Sequence, residues 1–156
     1  MAYFTAVLAR EGRRWTAHDL DVEAASGLAE LSAELRSVAD DDAPVLLLVE
    51  REDAWWGVVR VDGEEDPRVF VSDVAGASAS PYSAVLEVAV DADTEIEEEE
   101  GDVPVASCAG DFDLLSDLGT SAEELRAMCD EELLPMDALS AVAEGAGFAE
   151  VLDSLR

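Results

Sequence analysis

Two hydrophobic periods share this chain between them. Residues 3–9, YFTAVLA, are short, apolar and partly β-branched, and RWTAHDL (14–20) puts Trp15 and Ala17 on one face with Arg14, Thr16 and His18 on the other. Two such runs around a turn that contains Gly12, free to take a positive φ, predict a β-hairpin. In SGLAELSAELRSVADDD, Leu28, Leu31, Leu35 and Val38 recur at helical spacing, which predicts an amphipathic helix N-capped by Ser26 and ended before Pro44. VLLLVE (45–50) is a continuous apolar run, as expected of a central strand. WWGVVRVD (55–62) alternates, with Trp55, Gly57, Val59 and Val61 on one face and Trp56, Val58 and Arg60 on the other. With the turn GEEDP and the strand RVFVSD (68–73), it predicts a second hairpin. Ser80-Pro81 reads as an N-cap followed by proline at the first helical position, and Tyr82, Val85, Leu86 and Ala89 form the stripe of the helix behind it. The resulting order is ββαβββα. It predicts an α+β fold, an antiparallel sheet of about five strands with helices on one face.

Beyond residue 110 the pattern is helical throughout. DFDLLSDLG (111–119) reads as a short helix closed by Gly119. TSAEELRAMCDEELL opens with a Thr120/Glu123 capping box and carries Leu125, Met128, Cys129 and Leu133 on one stripe. PMDALSAVAEGAG begins with Pro135 and buries Leu139, Val142 and Ala143, while FAEVLDSLR carries Phe148, Val151, Leu152 and Leu155 at i, i+3, i+4 and i+7. This small unit has too little core to stand alone, so docking on the sheet is its natural solution. The expected organisation is an α+β domain over 1–90, an acidic linker over 91–110, and a helical unit over 111–156.

Charge changes the picture most. The chain has 38 acidic residues against nine basic ones, a net charge of −29, and all nine bases are arginine. Phosphate backbones and anionic membranes are excluded as direct ligands, because binding them relies on basic groups displacing counterions. A basic protein is the electrostatically natural partner. The densest acidic stretch, VDADTEIEEEEGDVP, holds eight acids between Asp91 and Asp102. It has no apolar period, and like charges extend a chain, so it reads as a linker. An EF-hand loop starting at Asp91 would need glycine where Ile96 stands and a bidentate glutamate where Asp102 stands. Cys108 and Cys129 form no disulfide framework and have no zinc-type spacing, so they read as reduced thiols. With no basic, apolar leader in MAYFTAVLAREGRRW and no apolar run of spanning length, the expectation is a cytoplasmic protein.

No catalytic constellation stands out. His18 is the only histidine and falls on an edge-like strand face, no GxSxG elbow occurs, and no second histidine could activate either cysteine. Cys129 lies on an apolar helical stripe, which favours packing. Cys108 sits in VASCAGD, which reads as exposed. No cofactor or metal motif is present, and the chain reads as non-catalytic. Trp55 and Trp56 point to opposite faces of their strand, so one anchors the core while the other needs the C-terminal helices or a partner to cover it. With the acidic turn residues Asp62, Glu64, Glu65 and Asp66, they are the candidate partner-binding residues.

YFTAVLAREGRRW, VLLLVEREDAWWGVVRVDGEEDPRVFVSD and DLLSDLGTSAEELRAMCDEELLPMDALSAVAEGAGFAEVLDSLR together resemble the actinobacterial tRNA adenosine deaminase-associated protein family. The resemblance covers nearly the whole chain, including the acidic spacer. It implies association with a deaminase that edits tRNA, chiefly through gene neighbourhood, and assigns no catalytic residue. The chain is not the deaminase: that chemistry needs a zinc-binding H-x-E with P-C-x-x-C, and here His18 is followed by Asp19 and Leu20 while each cysteine stands alone. Two expectations follow. One is a binding partner or regulator that docks its acidic surface on the enzyme's basic tRNA-contacting surface. The other is a stand-alone module, a homodimer joined by a sheet edge or a tryptophan face.

Overall fold

The computed structural model describes residues 3–18, 27–39, 43–51, 54–63, 67–78, 82, 86, 108–130 and 134–155. β1 (Tyr3–Glu11) and β2 (Arg14–His18) form the first hairpin, with Gly12 at φ 65° in its turn. α1 (Leu28–Ser37) leads to β3 (Pro44–Arg51), β4 (Trp55–Asp62), β5 (Arg68–Val71) and a one-turn α2 (Val74–Ser78). The ββαβββ order is therefore present, and the one-turn α2 follows β5 ahead of the stretch where the sequence predicts a helix. A two-residue strand, β6 (Ala109–Gly110), adds to the five expected from sequence. The sheet runs β2-β1-β3-β4-β5-β6 and every pairing is antiparallel.

Register explains the two cores. Val7 pairs with Leu47, which pairs with Val59, which pairs with Val69. These side chains share one face with Trp55, and α1 covers them through Leu28, Leu31 and Leu35. Val74 and Ala77 of α2 extend the same cluster, as do Tyr82 and Leu86. One residue along each strand, Leu8, Leu46, Leu48, Val58 and Phe70 point to the opposite face with Trp56. That face is covered by the C-terminal helices. Because strand side chains alternate with period two, a strand that is apolar at every position needs a layer on each side. Positions 45–50 of β3 are all buried, so the sheet is the middle of three layers.

The C-terminal unit begins with turns and a 3-10 helix, Ser116–Leu118, closed by Gly119 at φ 98°. It is a single tight turn where the sequence suggested an α-helix. Gly119 is required by space as well as by φ: a Cβ there would lie 2.3 Å from the Gly145 carbonyl oxygen. α3 (Ala122–Asp130), α4 (Pro135–Ala146) and α5 (Ala149–Leu155) follow. Leu125, Met128, Leu139, Val142, Ala143, Phe148 and Leu152 are buried as their spacing predicts, whereas Leu155 is exposed.

Helix starts move by one residue from the sequence expectation. Gly27 occupies the N-cap position of α1, and Ser26 lies outside the described residues. The capping box of α3 is Ser121/Glu124, not Thr120/Glu123: the Glu124 amide donates to Ser121 Oγ at 3.1 Å and the Ser121 amide to Glu124 Oε1 at 3.4 Å. Thr120 is instead buried where the 3-10 turn meets α4. Of the stripe expected over 82–89, only Tyr82 and Leu86 are described; the Leu86 amide donates to the Tyr82 carbonyl at 3.1 Å. The acidic run 91–102 lies outside the described residues, and Ala109–Gly110, placed at the end of the linker from sequence, belong to the sheet.

Trp56 is the keystone of the second face. Its ring lies 5.2 Å from that of Phe70, which in turn meets Phe112 edge-on at 5.2 Å. Trp56→Ala should lower stability by about 3–5 kcal/mol, the usual range for truncating a buried aromatic. Equilibrium denaturation, followed by circular dichroism, measures it.

Candidate functional site

Trp55 and Trp56 are 1 % and 2 % exposed, so neither indole offers a surface to a partner. Trp55 packs in the core under α1 and Trp56 in the core under the C-terminal helices, so both of these candidates are covered within the chain. Trp55 lies so close under α2 that a Cβ at Gly76 would come within 2.6 Å of its ring. Asp62 is also committed internally, accepting from Arg60 Nε at 2.9 Å and from an Arg68 guanidinium nitrogen at 3.2 Å. Glu64, Glu65 and Asp66 lie outside the described residues.

The polar centre of the molecule is Arg60. It extends from β4 on the same face as Trp56 and Val58, and it is 4 % exposed. Its guanidinium donates to both carboxylate oxygens of Asp117, at 2.6 and 2.9 Å, and to the Leu114 carbonyl. Arg68 joins Asp62 to Asp111, the latter at 3.8 Å. One buried cation thus ties the sheet to the 111–118 segment. Burial opposes the Arg60 charge, but the bonds to Asp117 and Asp62 outweigh it and hold the pKa above the ordinary arginine value. The bond from Arg60 holds Asp117 below the usual carboxylate range. The sequence carried a signal for this node: an arginine on the same strand face as a tryptophan and a valine must find partners when that face is covered.

A second tie is Trp15. Its Nε1 donates to the Ala146 carbonyl at 3.1 Å, and its ring meets Phe148 edge-on at 5.2 Å. The hairpin therefore holds the corner between α4 and α5, where Gly147 adopts φ 97°. A groove of about 630 Å³ opens there, lined by Arg13, Arg14, Trp15, Glu144, Gly147 and Glu150 among others.

Other chemistry is sparse. Thr16 Oγ1 and His18 Nε2 lie 3.2 Å apart on the edge strand β2. Cys108 is half-buried against the second core, not exposed as its sequence context suggested. The Cys129 side chain lies outside the described set. Among the described residues, no cluster of three or more His, Cys, Asp or Glu could hold a metal ion. No helix among them is long and apolar enough to cross a membrane.

The model of a family described as Rv3753c-like tRNA adenosine deaminase-associated protein matches residues 3–149, from β1 through α4 to the start of α5. The chain belongs to this family. A curated relative, Protein Rv3753c of Mycobacterium tuberculosis (strain ATCC 25618 / H37Rv), is 29 % identical over 153 residues, covering 97 % of this chain and 86 % of that one. No solved structure matches the chain. In this member of the deaminase-associated family, the Arg60 node joins the two halves that the family model spans.

Asp117 is 65 % solvent-exposed, which limits its contribution. Asp117→Asn should cost about 1 kcal/mol at neutral pH, the upper range for an exposed pair. A carboxyl held low in the folded state stabilises fully above its unfolded pKa and loses that contribution as pH falls through the folded value. The gap between wild type and variant should therefore close below the ordinary carboxylate range of about 4. Urea midpoints at pH 7 and in acid measure both.

Proposed function

We propose that this chain is a non-catalytic partner of a tRNA adenosine deaminase and docks its acidic surface on the enzyme's basic tRNA-contacting surface. The observation that carries this reading is a net charge of −29 in a member of a deaminase-associated family. The fold sharpens it. Arg10, Arg36, Arg60, Arg68 and Arg126 are each engaged within the molecule, by a turn carbonyl, the Gly63 carbonyl, the Asp117 node, Asp62 and the Phe112 ring respectively. Arg60 and Arg68 are ion-paired, and against 38 acids the remaining cations are too few to offset the field of the carboxylates. An enzyme that binds tRNA needs a basic surface, and a polyanionic protein complements it. Such a partner would compete with tRNA or shield the surface until tRNA arrives. Of the two routes to the rival homodimer, the tryptophan face is disfavoured because both indoles of the Trp55–Trp56 pair are buried, which leaves the sheet edge.

Charge-steered association is fast and weakens with screening. Light scattering after size exclusion, with the deaminase from the same organism, should show a complex of defined stoichiometry at low salt that fades at moderate salt. No complex at either salt would remove the partner reading. Salt-insensitive self-association would favour the stand-alone module.

A further inference from the structure

The groove at the α4–α5 corner departs from the charge pattern of the whole molecule. Arg13 and Arg14, in and just after the β1–β2 turn, are exposed and form no ion pair among the described residues. Both line the groove beside Trp15, whose ring packs against the second core. Arg10, opposite Trp15 in register, is held to the turn by its bond to the Gly12 carbonyl. Arg13 and Arg14 are the cations on the groove wall. Across from them stand Glu144 and Glu150, both exposed and both without a salt bridge to these arginines.

We propose that this groove is a docking site for a partner-protein segment that presents a carboxylate beside a basic side chain. The proposal rests on the partner reading above and locates its specific contact. The walls carry opposite charges that do not pair with each other, so a segment bearing both signs satisfies both. A phosphate backbone would meet Glu144 and Glu150 and be repelled, which disfavours nucleic acid here. The floor is rigid, because Trp15 is fixed by the Ala146 carbonyl and by Phe148.

Arg13→Glu separates this contact from bulk steering by the sign of its effect. The variant makes the protein more acidic, so attraction to a basic surface alone would leave affinity for the deaminase unchanged or tighten it. Recognition in the groove predicts affinity weakened about tenfold at low salt, because a like charge now faces the partner's carboxylate. Arg13→Gln, which removes the charge without reversing it, should weaken binding by a smaller factor, and circular dichroism checks that both variants fold. Unchanged or tighter binding by both variants, with the wild-type complex intact, would overturn the groove while leaving the partner reading standing. Failure of the wild type to bind at all would overturn both. Binding of tRNA by this chain alone, lost in Arg13→Glu, would replace the peptide segment with a phosphate and overturn the proposal.

Discussion

A sheet that is apolar on both faces cannot exist without two covering layers, and that requirement organises this molecule. β3 is buried at every position from Val45 to Glu50, and β4 from Trp55 to Val61. α1 and α2 cover one side and the C-terminal helices the other. Each layer depends on the sheet as much as the sheet depends on it. The helices after residue 110 are short, and their stripes find apolar area chiefly against Leu46, Leu48, Trp56, Val58 and Phe70. Burial of this kind is the main favourable contribution to folding, and it packs the C-terminal helices and the sheet around one shared core.

Arg60 adds direction to that non-directional force. Apolar contact would tolerate the helical layer in several positions, whereas a guanidinium that must reach Asp117, Asp62 and the Leu114 carbonyl admits few. Buried ionic groups contribute little net stability but penalise the wrong arrangement heavily. Trp15 plays the same part at the other end, with one hydrogen bond to the last turn of α4. A chain with only nine cations places several of them in structural contacts, and its surface carries far more carboxylates than cations.

Much of this was legible in the residues. The two hairpins, α1, the central strand and the opposed tryptophans follow from period and alternation. The helix caps were legible only to within a residue, because docking fixes where a helix starts: Thr120 is drawn into the contact with α4 and leaves capping to Ser121. α2 is one turn long, too short for a helical period to register. The 3-10 turn at Ser116–Leu118 depends on the close pass of Gly119 by Gly145, a contact between segments far apart in sequence. Arg60 was assigned to the Trp56 face from the strand pattern, but of its partners only Asp62 is near in sequence; Leu114 and Asp117 lie more than fifty residues away, and no local signal names them. The opposed tryptophans left one choice open, since the second indole could be covered by the C-terminal helices or by a partner, and the docked helices cover it.

Competition between tRNA and this chain for the deaminase tests the proposed role most directly. The preformed complex is titrated with substrate tRNA, and release of the acidic chain is followed by fluorescence anisotropy. Displacement that reaches completion as tRNA saturates the enzyme is the predicted result. A stable ternary complex, with tRNA and this chain bound together at full occupancy, would contradict docking on the tRNA-contacting surface.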